Sequence, residues 1–242
     1  LLIITYYWPP SGGSGVQRWM YFASFLPGLG YEPVVITVDP SKASYKFIDD
    51  SFTSRVSAIR TIHTSTREPF GIYSKLTKRS KQDAIPQGFS GESNPGILQK
   101  ISRFIRGNFF IPDARIGWIN FAFEAALKCI KEEGIETVIT TGPPHSTHLV
   151  GLKLKEKVKI KWIADFRDPW GEIYYNKMLY RSDFSKKRDA VMESNVLEKA
   201  DHILTVGPTL CSILSLKNGD TLSKNKFSYI YNGYDDSVFS NV

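Results

Sequence analysis

The densest knot of chemistry-bearing side chains is Ala164-Asp165-Phe166-Arg167-Asp168-Pro169-Trp170, where two carboxylates flank a guanidinium and a proline follows at once. An acid left uncompensated there can orient a hydroxyl or take its proton. The competing reading is structural, with Arg167 neutralising both acids and pinning the loop. Asp165 is expected to face the core or to pair with Arg167, which makes Asp168 the candidate catalytic acid and Arg167 its neighbour. A second cluster is Gly142-Pro143-Pro144-His145-Ser146. Its prolines stiffen a turn, Ser146 is placed to cap a helix, and His145 can hydrogen-bond a sugar or a phosphate. His145 and His148 are three apart on one helical face, yet no carboxylate or cysteine stands at ligand spacing, so no metal is expected. The third cluster is Gly12-Gly13-Ser14-Gly15 with Arg18 beyond it. Glycines let backbone approach a ligand closely, and a helix that opens there offers free N–H groups and partial positive charge, which suits a phosphate. The same glycines can also simply turn the chain. Their spacing is not G-x-G-x-x-G, and no Gly-Lys-Ser/Thr follows, which disfavours a nicotinamide dinucleotide and a P-loop nucleotide.

Alternating strand and helix patterns place these clusters. Leu1–Tyr7 reads as a strand, and Val16, Trp19, Ala23 and Leu26 mark a helix over Ser14–Leu29 that Gly30 closes. Strands are expected at Val34–Val38, Ala58–His63, Thr137–Thr141, Ile160–Phe166 and His202–Val206. Helices are expected from Ile116 to Gly134 and over Ser146–Lys157, Lys186–Lys199 and Pro208–Leu216. From Thr64 to Asp113 prolines and glycines break the pattern, except for short helical pieces at Ile72–Lys78 and Ile97–Arg106; this is an excursion over the sheet, at about 64–114. The expected class is α/β, a Rossmann-like, doubly wound, mainly parallel sheet, in which ligands sit beyond the carboxyl ends of the strands. All three clusters fall at such ends.

The chain has 242 residues, 42% of them hydrophobic and 23% charged, enough for a sizeable core. Its two cysteines, Cys129 and Cys211, exclude a disulfide framework and suit a cytosolic or cytosol-facing protein. No apolar run approaches the roughly 18 residues that span a bilayer. Lys and Arg number 31 against 24 acids, a net charge of +7, which favours anionic partners. Lysines at 153, 155, 157, 159 and 161, with Lys186, Lys187 and Arg188, form either solvated faces or a contact with an anionic membrane, to which Phe70, Tyr73, Phe89, Phe109 and Phe110 would add an apolar foothold. No nucleic-acid-binding motif accompanies the charge.

Five segments in the same order resemble a known family: Tyr6-Tyr7-Trp8-Pro9-Pro10 with the glycine loop and Arg18; Thr141 to Ser146; Ala164 to Trp170; Ala200-Asp201-His202-Ile203-Leu204-Thr205-Val206; and Ile230-Tyr231-Asn232-Gly233-Tyr234-Asp235 with Phe239. Together they look like the amino-terminal, acceptor-side half of a retaining GT-B glycosyltransferase of family four. The resemblance implies that residues 1–226 form the acceptor domain and that 227–242 open the second, donor-binding domain. It also implies transfer of a sugar from a nucleoside diphosphate sugar to a glycan or lipid-linked acceptor with retention, by front-face attack in which the leaving phosphate takes the acceptor proton. No cofactor beyond the donor is implied. The setting would be cytoplasmic, peripheral at the inner face of a membrane, in polysaccharide biosynthesis. Many members carry a histidine after the fifth strand to contact the donor sugar; here Arg167 and Asp168 stand there, and Asp168 is the residue expected to orient the acceptor. Gly12, Gly13, Ser14, Gly15 and Arg18 are expected at the phosphates, with Asp168, Arg167 and His145 at the reacting centre. A nucleotide-sugar epimerase of the same two-domain plan and a non-catalytic binding module are the alternatives.

Overall fold

A computed structural model describes residues 1–45, 47–68, 96–217 and 224–235. Seven strands form one sheet in the order β3-β2-β1-β4-β5-β6-β7, all parallel: β1 (Leu2–Ile4), β2 (Val34–Val38), β3 (Arg60–Thr64), β4 (Thr137–Gly142), β5 (Lys161–Phe166), β6 (His202–Thr205) and β7 (Phe227–Tyr229). The helices are α1 (Ser14–Phe25), α2 (Ile97–Phe109), α3 (Ile119–Glu133), α4 (Ser146–Lys157), α5 (Asp183–Lys199) and α6 (Pro208–Lys217). The doubly wound, Rossmann-like class expected from the sequence is the one observed.

Strand alternation sorts the core into two layers. Leu2, Ile4, Val34, Ile36 and Val138 face one layer with Ala122, Ala126 and Ile130 of α3 and Val150 and Leu154 of α4. Ile3, Val35 and Ile139 face the other, where Val16, Trp19, Met20 and Ala23 of α1 cover them. Both strand faces are buried, which is why β1 and β2 read as nearly continuous apolar runs rather than alternating ones.

Boundaries differ in instructive places. The first strand is only Leu2–Ile4, because beyond it Tyr6 and Trp8 are buried in a loop that turns toward α1. The first helix is α-helical to Phe25 and tightens into a 3-10 turn over Leu26–Leu29, where Pro27 stands near its start. The third strand begins two residues late, at Arg60, behind short 3-10 turns at Asp50–Phe52 and Ser54–Val56. Phe227–Tyr229 pairs with β6 as the seventh strand of the same sheet. Of the excursion, the helical piece expected at Ile97–Arg106 is observed and runs on to Phe109, and the chain after it packs back into the fold through buried Ile111 and Trp118. The helical piece expected at Ile72–Lys78, with Phe70, Tyr73, Phe89 and Phe239, lies outside the described residues.

Where α4 crosses β5 the two backbones come close over Trp162, whose indole donates to Thr140 Oγ1 at 2.9 Å. A Cβ at Gly151 would stand 2.3 Å from that ring, so only glycine fits. Gly151→Ala should therefore destabilise the protein by about 1–3 kcal/mol of overpacking, although alanine favours a helix. The expected readout is a lower urea midpoint at unchanged slope; an unchanged or higher midpoint would contradict this packing.

Candidate functional site

Strand order reverses between β1 and β4, since their connections run to opposite sides of the sheet. At that switch point, outside the carboxyl ends of β1, β4 and β5, lies a cleft of about 340 Å³. Its polar lining includes Ser14, Gly15, Arg167, Asp168 and Asn232. Its apolar lining includes Phe110, Pro112, Trp170, Ile173 and Leu179. His145 also lines it.

The start of α1 lines the cleft. Gly13 precedes its first turn at φ 90°, a backbone conformation that side chains other than glycine's strain to adopt, and no side chain caps the helix there. The first turn, Ser14 and Gly15, thus presents backbone N–H groups to the cleft. Arg167 supports this turn from below: its Nη1 donates to the Gly15 carbonyl, its Nη2 to the Pro143 carbonyl, and its Nε to the Gly142 carbonyl at 3.2 Å. One guanidinium therefore joins the loops after β1, β4 and β5. Burial pulls its pKa down, and the charges of Asp165 and Asp168 oppose that shift. Asp168 lines the cleft, half-buried, and among the described residues its carboxylate makes no hydrogen bond or ion pair.

Asp165 behaves differently from its neighbour. It is wholly buried, as expected, but its partner is Arg18 and not Arg167. Arg18 reaches its oxygens at 3.1 to 3.4 Å, Trp19 Nε1 donates at 2.6 Å and Thr141 Oγ1 at 2.8 Å. The remaining Arg18 donors reach the carbonyls of Ile230 at 2.8 Å and Thr205 at 3.5 Å and Asn232 Oδ1 at 2.9 Å. With every N–H engaged, Arg18 has none left for a phosphate. It is a positioning residue.

His145 stacks on Trp170, ring centroids 4.8 Å apart, and His148 stacks on Phe166 at 4.4 Å. His148 Nδ1 is 2.9 Å from Thr140 Oγ1, a pairing that belongs to the core. Neither ring nitrogen of His145 has a hydrogen-bond partner, although the Pro169 carbonyl works weakly in favour of its charged form. Burial, then the Arg167 charge, lowers the His145 pKa to about 3. Burial, then His145 and Arg167, takes His148 well below its ordinary value. Both imidazoles are neutral near pH 7, and no group of three or more potential metal ligands occurs among the described residues.

Two elements of the site were not visible in the sequence. Ser146 does not cap α4 with its own side chain as expected; instead Asp113 accepts from the Ser146 backbone N–H at 2.8 Å and from Ser146 Oγ at 2.9 Å. Burial raises the Asp113 pKa and those hydrogen bonds oppose it. Beside it, Arg115 pairs with Glu68 at 2.8 Å, and Tyr6 Oη and Ser44 Oγ donate to the same carboxylate. Both acids fall in the stretch without periodicity, so nothing singled them out. The lysine run also changes meaning: Lys153 binds Asn120 Oδ1, Lys155 pairs with Asp201, and the whole run follows α4 to the start of β5, the pole opposite the cleft.

No protein-family model and no curated protein matches the chain. Solved structures do. A sucrose-phosphate synthase from Thermosynechococcus elongatus superposes with a TM-score of 0.59 at 14% identity, over 98% of this chain and 49% of that one. A separate structure of segments of the same synthase gives 0.52 at 13%, over 99% and 92%. The chain folds as a Rossmann-like domain of the GT-B kind. A glycosyltransferase from Rickettsia africae is more distant, with a TM-score of 0.48 at 13% identity, over 99% of this chain and 45% of that one. This GT-B-like domain thus spans about half the length of two of these chains.

Two outcomes follow for stability. Asp165→Asn strands the Arg18 cation in the interior and should cost about 3–5 kcal/mol, seen as a large fall in melting temperature; a small fall would mean the pair carries little of the fold. The lowered His145 pKa means the unfolded chain binds a proton that the folded chain refuses. Stability is then full above about pH 6.5 and is lost as pH falls toward 3. His145→Gln should make the urea midpoint fall less steeply over that range, with a remaining slope from His148; an unaltered slope would contradict the assignment.

Proposed function

We propose that this domain is the acceptor side of a retaining glycosyltransferase that uses a nucleoside diphosphate sugar. The observation that carries the reading is the cleft itself: an uncapped helix start, a fixed arginine and an unpartnered neutral histidine converge on one unpaired carboxylate. The first turn of α1 would receive a phosphate group of the donor through backbone N–H groups and the helix dipole. Arg167, held by three carbonyls, keeps that turn in place and adds positive charge where the departing diphosphate gathers negative charge. His145, neutral and with both ring nitrogens buried and unpartnered, would give or accept a hydrogen bond with a sugar hydroxyl once its ring turns from the Trp170 stack, without adding charge to the site. Asp168 accepts a hydrogen bond from the acceptor hydroxyl and orients it; the leaving phosphate then takes the proton, so no protein base is needed. The acceptor is a glycan or a lipid-linked glycan at the cytoplasmic side of a membrane, in polysaccharide biosynthesis. The likeness to a sucrose-phosphate synthase supports the class of reaction and leaves the sugar and linkage to the full protein.

The test separates the two aspartates. In the full-length enzyme Asp168→Asn should keep the melting temperature and lower turnover of a nucleotide sugar about ten- to hundredfold, the value of a charge-assisted hydrogen bond. A fully active Asp168→Asn enzyme would remove Asp168 from the reaction.

A further inference from the structure

Asn176 lines the cleft from the connection that follows β5. It belongs to a loop, residues 170–181, that contains a 3-10 turn over Tyr174–Met178. One carboxylate of α5 holds both ends of this loop. Trp170 Nε1 donates to Asp189 Oδ1 at 2.7 Å, and Arg181 Nη2 pairs with Asp189 Oδ2 at 2.8 Å, the Arg181 and Asp189 side chains being all but inaccessible. Between the ends, Lys217 of α6 bridges Glu172 at 2.6 Å and Glu193 of α5 at 2.5 Å, and Asn108 Nδ2 of α2 donates to the Tyr180 carbonyl at 2.8 Å. A loop fixed at so many points presents its polar atoms in one arrangement before a ligand arrives, which is what selective recognition requires.

The orientation of the Asn176 amide follows from its neighbours. Its Nδ2 faces two carbonyls of the same loop, those of Trp170 and Gly171, each at 3.3 Å. A carbonyl only accepts, so the amide nitrogen is turned to the loop and Oδ1 is the end left over. Among the described residues no donor reaches that oxygen. An amide oxygen repels phosphate and carboxylate oxygens and accepts from O–H or N–H groups. Its chemistry is therefore the converse of that at the first turn of α1, which offers donors. Asp168, on the same connection after β5, is likewise an acceptor. Acceptors on this connection and donors on α1 divide the cleft's preferences between a hydroxylated ligand and an anionic one.

We infer that Asn176 is a specificity-determining residue whose Oδ1 accepts a hydrogen bond from a hydroxyl of the acceptor sugar, one other than the hydroxyl that is glycosylated. The inference rests on the transfer reading only in calling that sugar the acceptor. Sugar binding is measured without turnover: a protein that binds the sugar through Asn176 and consumes no nucleotide sugar would contradict the transfer reading alone.

The experiment is ligand-observed NMR titration of the full-length protein with the methyl α-glycosides of glucose, mannose and galactose, followed by the monodeoxy analogues of whichever binds. Loss of one particular hydroxyl is expected to weaken binding to the wild type about three- to tenfold, the worth of one neutral hydrogen bond. Asn176→Ala should weaken the parent glycoside by a similar factor, and in that variant the missing hydroxyl should make no further difference. Should Asn176→Ala misfold, Asn176→Ser, which can still donate to a loop carbonyl but lacks the outward oxygen, completes the same cycle. A residue that only closed the loop would weaken parent and deoxy sugars alike and preserve the difference between them. That result, unchanged binding of the parent by the variant, or no binding of any of the three glycosides to the wild type would each overturn the inference.

Discussion

The buried pair between Arg18 and Asp165 is the contact on which the site depends. Both side chains are all but inaccessible, and two charges taken out of water are costly unless every remaining lone pair and N–H finds a partner. Here they do. Trp19 and Thr141 complete the carboxylate, while the carbonyls of Thr205 and Ile230 and the Asn232 side chain complete the guanidinium. The pair consequently ties α1 to β4, β5, β6 and the segment after β7, five elements that hydrophobic packing alone would leave free to slide by fractions of an ångström. Because α1 is held at its second turn, its first turn stands over Arg167 and faces the cleft.

That arrangement determines which charges are available for chemistry. Asp165 is consumed by Arg18, Asp113 by the start of α4, and Glu68 by Arg115. Among these acids and Asp168, the last alone keeps an uncommitted carboxylate at the cleft. The histidines are neutral by burial, so positive potential at the site comes from the arginines that line it, Arg167 held by three carbonyls among them, and from the helix start. A site built this way suits an anionic donor and a neutral hydroxyl acceptor.

Much of the scaffold was legible because strands and helices announce themselves by period. The alternation of buried runs with three- and four-residue steps placed the strands, and the carboxyl-end rule then led to Gly12–Gly15, His145 and Asp168. What stayed hidden was pairing. Nothing in sequence says that Asp165 turns to a residue 147 positions earlier rather than to Arg167 two residues on; the strand ends at Phe166, and beyond it the Arg167 guanidinium is taken up by the carbonyls of Gly15, Gly142 and Pro143. Asp113 and Glu68 were invisible for a related reason, since each sits in a stretch whose order comes from tertiary contacts and not from local pattern. Phe110, which the sequence offered only as part of an aromatic foothold, lines the cleft.

The location of the donor site is the central claim, and hydrogen–deuterium exchange of the full-length protein with and without a nucleoside diphosphate sugar tests it most directly. The account predicts slower exchange in the peptides that contain Gly12 to Gly15 and Pro143 to Ser146. Protection confined to other segments, with these two unchanged at saturating ligand, would contradict it.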